Sequence, residues 1–147
     1  MPVACIEFLA FAQGINKNGD EVAFRAAISR AYYGAFHACK IWHSDTLPCQ
    51  GHDVGTKGGV HQILINQLTH PDASCGQELC LRSTSAGYML RDLKVSRVIA
   101  DYELEATVTR EVLENALAKA SLIIQKTQEP LPTPPSAAAT IGLRRVQ

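Results

Sequence analysis

The sequence predicts an all-α protein, and two observations carry that reading. Apolar residues recur at spacings of three and four throughout, and no stretch alternates at period two as a half-buried strand would. Clusters of glycine, proline, asparagine and aspartate fall between the periodic stretches, where helices would end.

The elements follow in order. A short first helix is expected over about Val3 to Gln13, followed by a turn in Gly14 to Gly19. Asp20 is the expected N-cap of a long helix running to about His43. Ser44 to Gly59 contains Pro48 and the glycines at 51, 55, 58 and 59, and reads as a mobile surface loop. A third helix is expected from Val60, with Leu64 and Leu68 on one face. It should stop at His70, because Pro71 disfavours helical geometry in the residue before it. Leu79, Ser83, Ala86, Leu90 and Arg97 share a face of a fourth helix, about Gly76 to Ala100. Leu113, Ala116, Leu117, Ala120, Ile123 and Ile124 stripe a fifth, about Thr109 to Thr127. Residues 1–129 thus form one domain. Residues 130–147, which hold four of the seven prolines and then an Ala-rich stretch, read as a disordered tail.

Composition narrows the function. With 46% apolar and 19% charged residues, the 147-residue chain can bury one core. Fourteen Lys+Arg balance fourteen Asp+Glu, so any site for a polyanion must be local. Five cysteines, an odd number without Cys-x2-Cys spacing, argue against a secreted disulfide framework, and no apolar run approaches the length of a membrane span. The expectation is a cytoplasmic protein without a membrane segment. Cys49-x2-His52, with His43, His61, Cys75 and Cys80 elsewhere, does not match finger or ribbon spacing, so no metal is expected. Gly55 to Gly59 lacks the pattern of a phosphate loop.

The long helix concentrates the chemistry. At about 100° per residue, Phe24, Ile28, Ala31, Tyr32, Ala35, Cys39 and Trp42 form a core stripe, with Cys39 an inert packing residue. The opposite side carries Ala26, Arg30, Tyr33, Gly34, His37 and Ala38 and is also poor in charge. Such a helix belongs in the middle of a bundle or at a subunit interface, and a homodimer is the expectation. Arg30, Tyr33 and His37 lie in one row. A sequestered Arg30 must meet a carboxylate or an anionic ligand, and Asp101 is the expected carboxylate. Arg97 and Asp101 are one turn apart, so a local ion pair is the other arrangement open to Asp101.

The segment FRAAISRAYYGAFHA at 24–38 resembles the signature helix of HEPN-domain proteins. FLA at 8–10, KGGVH at 57–61 and RVIADY at 97–102 agree in order, so the likeness covers about residues 3–127. The resemblance implies an up-and-down bundle of four or five helices, usually paired as a homodimer. It also implies either of two functions. One is a metal-independent endoribonuclease of toxin type, without cofactor and encoded beside an antitoxin, whose Arg and His are Arg30 and His37, supported by Tyr33, His61, Arg97, Asp101 and Tyr102. The other is a non-catalytic helical partner of a nucleotidyltransferase, or a nucleotide-binding module. A third, blander reading is an interaction protein that pairs through Ala26, Gly34 and Ala38.

Overall fold

The computed structural model describes residues 3–15, 19–49 and 58–132. Within them the chain is all-helical: α1 (Cys5–Ile15), α2 (Glu21–Ile41), α3 (Val60–Thr69), α4 (Gln77–Tyr102) and α5 (Arg110–Gln128). A π-helical turn, Trp42–Thr46, extends α2, and a short 3₁₀ turn, Ala73–Cys75, precedes α4. The helical path therefore continues past Ser44, where the sequence suggests a loop. Residues 50–57, with His52 and Lys57, lie outside the described residues, as does the tail from residue 133.

The local signals act as their chemistry dictates. Asp20 accepts a hydrogen bond from the Ala23 N–H at 2.9 Å and Thr109 one from Val112 at 3.3 Å, each satisfying an orphan donor of a first helical turn. α3 ends at Thr69, just ahead of His70 and Pro71. Every residue of the expected α5 stripe is buried. So is the α2 core stripe, apart from the half-buried Phe24.

α2 packs against α1, α4 and α5 at once, which explains why most of its residues are apolar or small. The charge-poor side opposite the core stripe is filled largely by α1 of the same chain. Gly34 and Ala38 are buried, and a Cβ on Gly34 would stand 2.9 Å from the Cys5 carbonyl oxygen. This corrects the idea of a pairing surface made from Ala26, Gly34 and Ala38, since only Ala26 is exposed. A second subunit is not needed to cover this side, so pairing rests on the family resemblance alone. Gly87 plays the same part between α4 and α3, where a Cβ would meet Thr69 Cγ2 at 2.8 Å.

Two buried arginines that helical spacing did not single out join the helices end to side. From α2, Arg25 Nη1 donates to the carbonyls of Ile99, Ala100 and Glu103 at 3.0–3.1 Å, at the C-terminal end of α4, and Nη2 donates to the carbonyl of Ala106. Glu21 pairs with the same guanidinium at 3.2 Å and accepts from the Val108 N–H at 2.9 Å. From α4, Arg82 donates to the carbonyls of Glu129 and Pro130 at 3.1 and 3.2 Å, just past the end of α5.

Gly34→Ala tests the close approach of α1. Alanine favours an isolated helix by about 1 kcal/mol over glycine, whereas overpacking costs about 1–3 kcal/mol, here against a backbone oxygen that cannot rotate away. The variant should unfold at lower urea concentration than the parent, while Gly14→Ala, at a helical position with open space around it, should not.

Candidate functional site

The site is built around the Tyr33 ring, on the flank of α2 that α1 leaves half-covered. Arg30, one turn earlier and exposed, sets its guanidinium carbon 5.0 Å from the ring centroid. His37, one turn later and half-buried, stacks near Tyr33 with centroids 6.4 Å apart and near Phe8 of α1 at 6.2 Å. Arg97 approaches from α4. Its guanidinium carbon lies 5.4 Å from the Tyr33 centroid, and its Nη2 donates to the Tyr33 hydroxyl at 3.0 Å. Two guanidinium groups and an imidazole thus converge on one phenol ring, which offers each a π face or edge.

Asp101 belongs to Arg97. Its Oδ2 lies 2.8 Å from Arg97 Nε and accepts from the Ser29 hydroxyl at 3.2 Å. The expected Arg30 to Asp101 ion pair is therefore absent. Of the two arrangements open to Asp101, the local one forms, because α4 stays helical through Tyr102 and holds residues 97 and 101 one turn apart. Arg30 avoids the desolvation cost that motivated the pair by pointing into solvent. Among the described residues, no carboxylate lies within ion-pair distance of it. Tyr102 is exposed, with its ring 5.6 Å from the Arg97 guanidinium.

His61, on the first turn of α3, completes the cluster. Its ring stacks on Phe36 with centroids 4.0 Å apart, and Nδ1 meets the Tyr32 hydroxyl at 2.7 Å. Burial holds the Tyr32 phenol far above its ordinary pKa, so this hydroxyl keeps its proton. Burial, followed by the charges of Arg97 and Lys94, pushes the His61 pKa below the usual histidine range, so its ring is neutral at neutral pH. Lys94 was not anticipated. It donates to Gln62 Oε1 at 3.1 Å beside His61, and its only signal in the sequence is a three-residue spacing from Arg97 on the same helix. Ser29 gives no signal of its own.

Among the described residues, no group of three or more His, Cys, Asp or Glu side chains gathers to hold a metal, and no helix is long and apolar enough to cross a membrane. Cys39 is fully buried, and desolvation, with Cys5 adding, pushes its thiol up to about 12, in keeping with inert packing. Cysteine count did not anticipate the disulfide between Cys49 and Cys75, which ties the chain beyond the π-helical turn to the 3₁₀ turn before α4. An odd total argues against a complete framework but leaves room for one bridge.

No family model, curated protein or solved structure matches the chain.

The electrostatic coupling of the cluster is testable. Arg97→Gln removes a positive charge that opposes protonation of His61, so the His61 pKa followed by NMR should rise toward the ordinary value of about 6.5. In the parent, where the folded pKa is depressed, the His61 contribution to stability is fully present above about pH 6.5. It should decline as pH falls toward the folded value.

Proposed function

We propose that this chain is a metal-independent endoribonuclease of HEPN-like, toxin type, working in the cytoplasm as a homodimer and restrained by an antitoxin partner. The convergence of Arg30, His37 and Arg97 on Tyr33 carries the reading, with Arg30 uncompensated by any nearby carboxylate among the described residues. Cleavage by attack of a ribose 2′-hydroxyl on the adjacent phosphate needs two things from the protein: a group that moves a proton and a group that stabilises charge on the phosphoryl oxygens.

His37 is the proton-moving group, since an imidazole carries both a donor and an acceptor nitrogen and this ring lies half-buried on the half-covered flank of α2. Arg30 is the anion-stabilising group. Along the α2 axis the two are about 10.5 Å apart at 1.5 Å per residue, a long span for one phosphate. The long Arg30 side chain shortens it by folding toward Tyr33, which stands between them. Arg97, with its charge shared with Asp101, positions the Tyr33 hydroxyl through its hydrogen bond. Tyr102 offers an exposed ring on which a base can stack. His61, its Nδ1 engaged by Tyr32, is a positioning residue.

A second reading draws on the same Arg97 to Asp101 pair. Because that pair commits one of the two guanidinium groups, the cluster also suits a nucleotide-binding module, partnered with a nucleotidyltransferase, in which Arg30 holds a phosphate and His37 packs between Phe8 and Tyr33.

Incubation of the purified chain with RNA in excess chelator separates the two. The nuclease reading expects products ending in 2′,3′-cyclic phosphate. His37→Ala should slow cleavage at least about 100-fold with the helical circular dichroism unchanged. Arg30→Lys should slow it about 10-fold or more, because a planar two-pronged donor is lost. RNA bound but left intact by the parent chain would transfer the site to the binding reading. Cleavage by His37→Ala at the parent rate would place the activity elsewhere.

A further inference from the structure

The hydrogen bond between Tyr32 and His61 fixes which nitrogen of the His61 ring carries the proton. Tyr32 is fully buried, and among the described residues its hydroxyl meets only His61 Nδ1. If Nδ1 carried a proton and donated, the phenolic proton would be buried without an acceptor. The hydroxyl therefore donates, Nδ1 accepts, and the single proton of the neutral ring sits on Nε2. That second nitrogen has no partner among the described residues. It is also absent from their buried, unpartnered side-chain atoms, so it keeps accessible surface.

A neutral N–H donor thus reaches water in positive surroundings. Lys94 approaches from α4, its Nζ donating to the neighbouring Gln62 Oε1 at 3.1 Å. Lys40 approaches from α2, one turn beyond the Phe36 ring on which His61 stacks, and shares a groove with Phe36 and Val60. Arg97, Lys94, His37 and Lys40 are the groups whose charge acts on the ring, and none is acidic. Arg97 shares its charge with Asp101, but neither lysine lies within ion-pair distance of a carboxylate among the described residues. Glu103 lines the groove between α3 and α4 with Lys94, but about 13.5 Å further along the α4 axis.

We propose that the His61 Nε2–H, with Lys40 and Lys94 beside it, binds a phosphate group in a second anion subsite next to the Tyr33 cluster. The two ammonium groups supply charge, the imidazole N–H supplies a fixed direction, and the several oxygens of a phosphate let each donor take its own. The Tyr33 and His61 ring centroids are 6.4 Å apart, so a phosphate held here and one held at Arg30 can belong to a single nucleic acid strand. A free phosphate is the other source. The subsite does not depend on the ribonuclease reading.

The full chain labelled with ¹⁵N, in a long-range proton–nitrogen correlation spectrum at neutral pH, should show His61 with its proton on Nε2. Titration with inorganic phosphate at constant ionic strength should move that nitrogen saturably. Lys40→Gln combined with Lys94→Gln should weaken the binding at least tenfold with the helical circular dichroism unchanged. A proton on Nδ1 overturns the proposal, as does an Nε2 signal that does not move saturably. Unchanged binding by the folded double variant would also overturn it, since phosphate would then be held elsewhere; if that variant does not fold, titration of the parent chain still decides. A thymidine tetranucleotide, which has no 2′-hydroxyl and so binds without cleavage by 2′-attack, separates the sources. Tighter binding than that of phosphate assigns the subsite to a strand, and binding no tighter assigns it to a free phosphate.

Discussion

Two buried guanidinium groups, each received by the C-terminal end of a neighbouring helix, set the relative positions of α2, α4 and α5. A helix ends with four carbonyls that lack an intrahelical partner and with the negative pole of its dipole, so a cation inserted there meets both needs together. Arg25 does this for α4, whereas Arg82 reaches the carbonyls of Glu129 and Pro130, the two residues that follow α5. Hydrogen bonds to a charged group contribute about 1.5–3 kcal/mol each, more than a neutral pair, and the fixed fork of arginine reaches several carbonyls at once. Carboxylates share the cost of burying each charge, Glu21 at Arg25 and Glu78 and Glu129 at Arg82, and the carbonyls tie that charge to one placement of the helix end. These contacts therefore select one arrangement of helices, where apolar packing alone would tolerate several.

The Tyr33 cluster inherits its geometry from the first of these clamps. Arg25 grips the backbone at Ile99, Ala100 and Glu103, within the same two turns that carry Arg97, Asp101 and Tyr102. Position 25 is one side of α2 and position 33 is two turns further along it. Fixing α4 at residue 25 thus brings Arg97 level with Tyr33 and Asp101 level with Ser29. The close contact of Gly34 with α1 acts on the other flank, setting Phe8 beside His37. A cluster with charged and aromatic members from four helices is thus held by backbone contacts outside it, and Arg30 is its exposed cation.

The helices themselves were legible because their information is local. Period, N-caps and the proline at 71 act within a turn or two; the stripe of α5 matches its buried residues one for one, whereas α2 buries six residues outside its stripe, Arg25, Ala27, Ser29, Gly34, Phe36 and Ala38, because three helices pack around it. The row Arg30, Tyr33, His37 was legible for the same reason. Partner choice was not. Helical spacing places Asp101 near Arg97 and says nothing of how α4 lies against α2, so the sequence led to Arg30 as the partner of Asp101, whereas the register of the helices gives Asp101 to Arg97. Arg25 shows the same limit. Its position beside a core stripe suggests an exposed flank, whereas carbonyls some 75 residues away make burial favourable. The π-helical turn gave no sequence signal either, since it differs from an α-helical end by one residue of hydrogen-bond register.

The division of labour between the two arginines at Tyr33 follows from the dielectric each one meets. Arg97, with its side chain 15% exposed, sits where an unpaired charge would be costly, and Asp101 beside it returns that cost as attraction. Arg30 stands in water, where its charge is inexpensive to keep and is screened at a distance of about 10 Å under ordinary salt. Under the proposed function, an anion that displaces this water gains the full interaction with Arg30, and the half-buried rings of Phe8 and Tyr33 beside His37 are the surface against which it would do so. On the proposed reading, selectivity at this site falls to what accompanies the charge. A bare inorganic anion gains little beyond the screened attraction, whereas a phosphate carrying a base or sugar can cover the aromatic surface as well and so strengthen its own contact with Arg30.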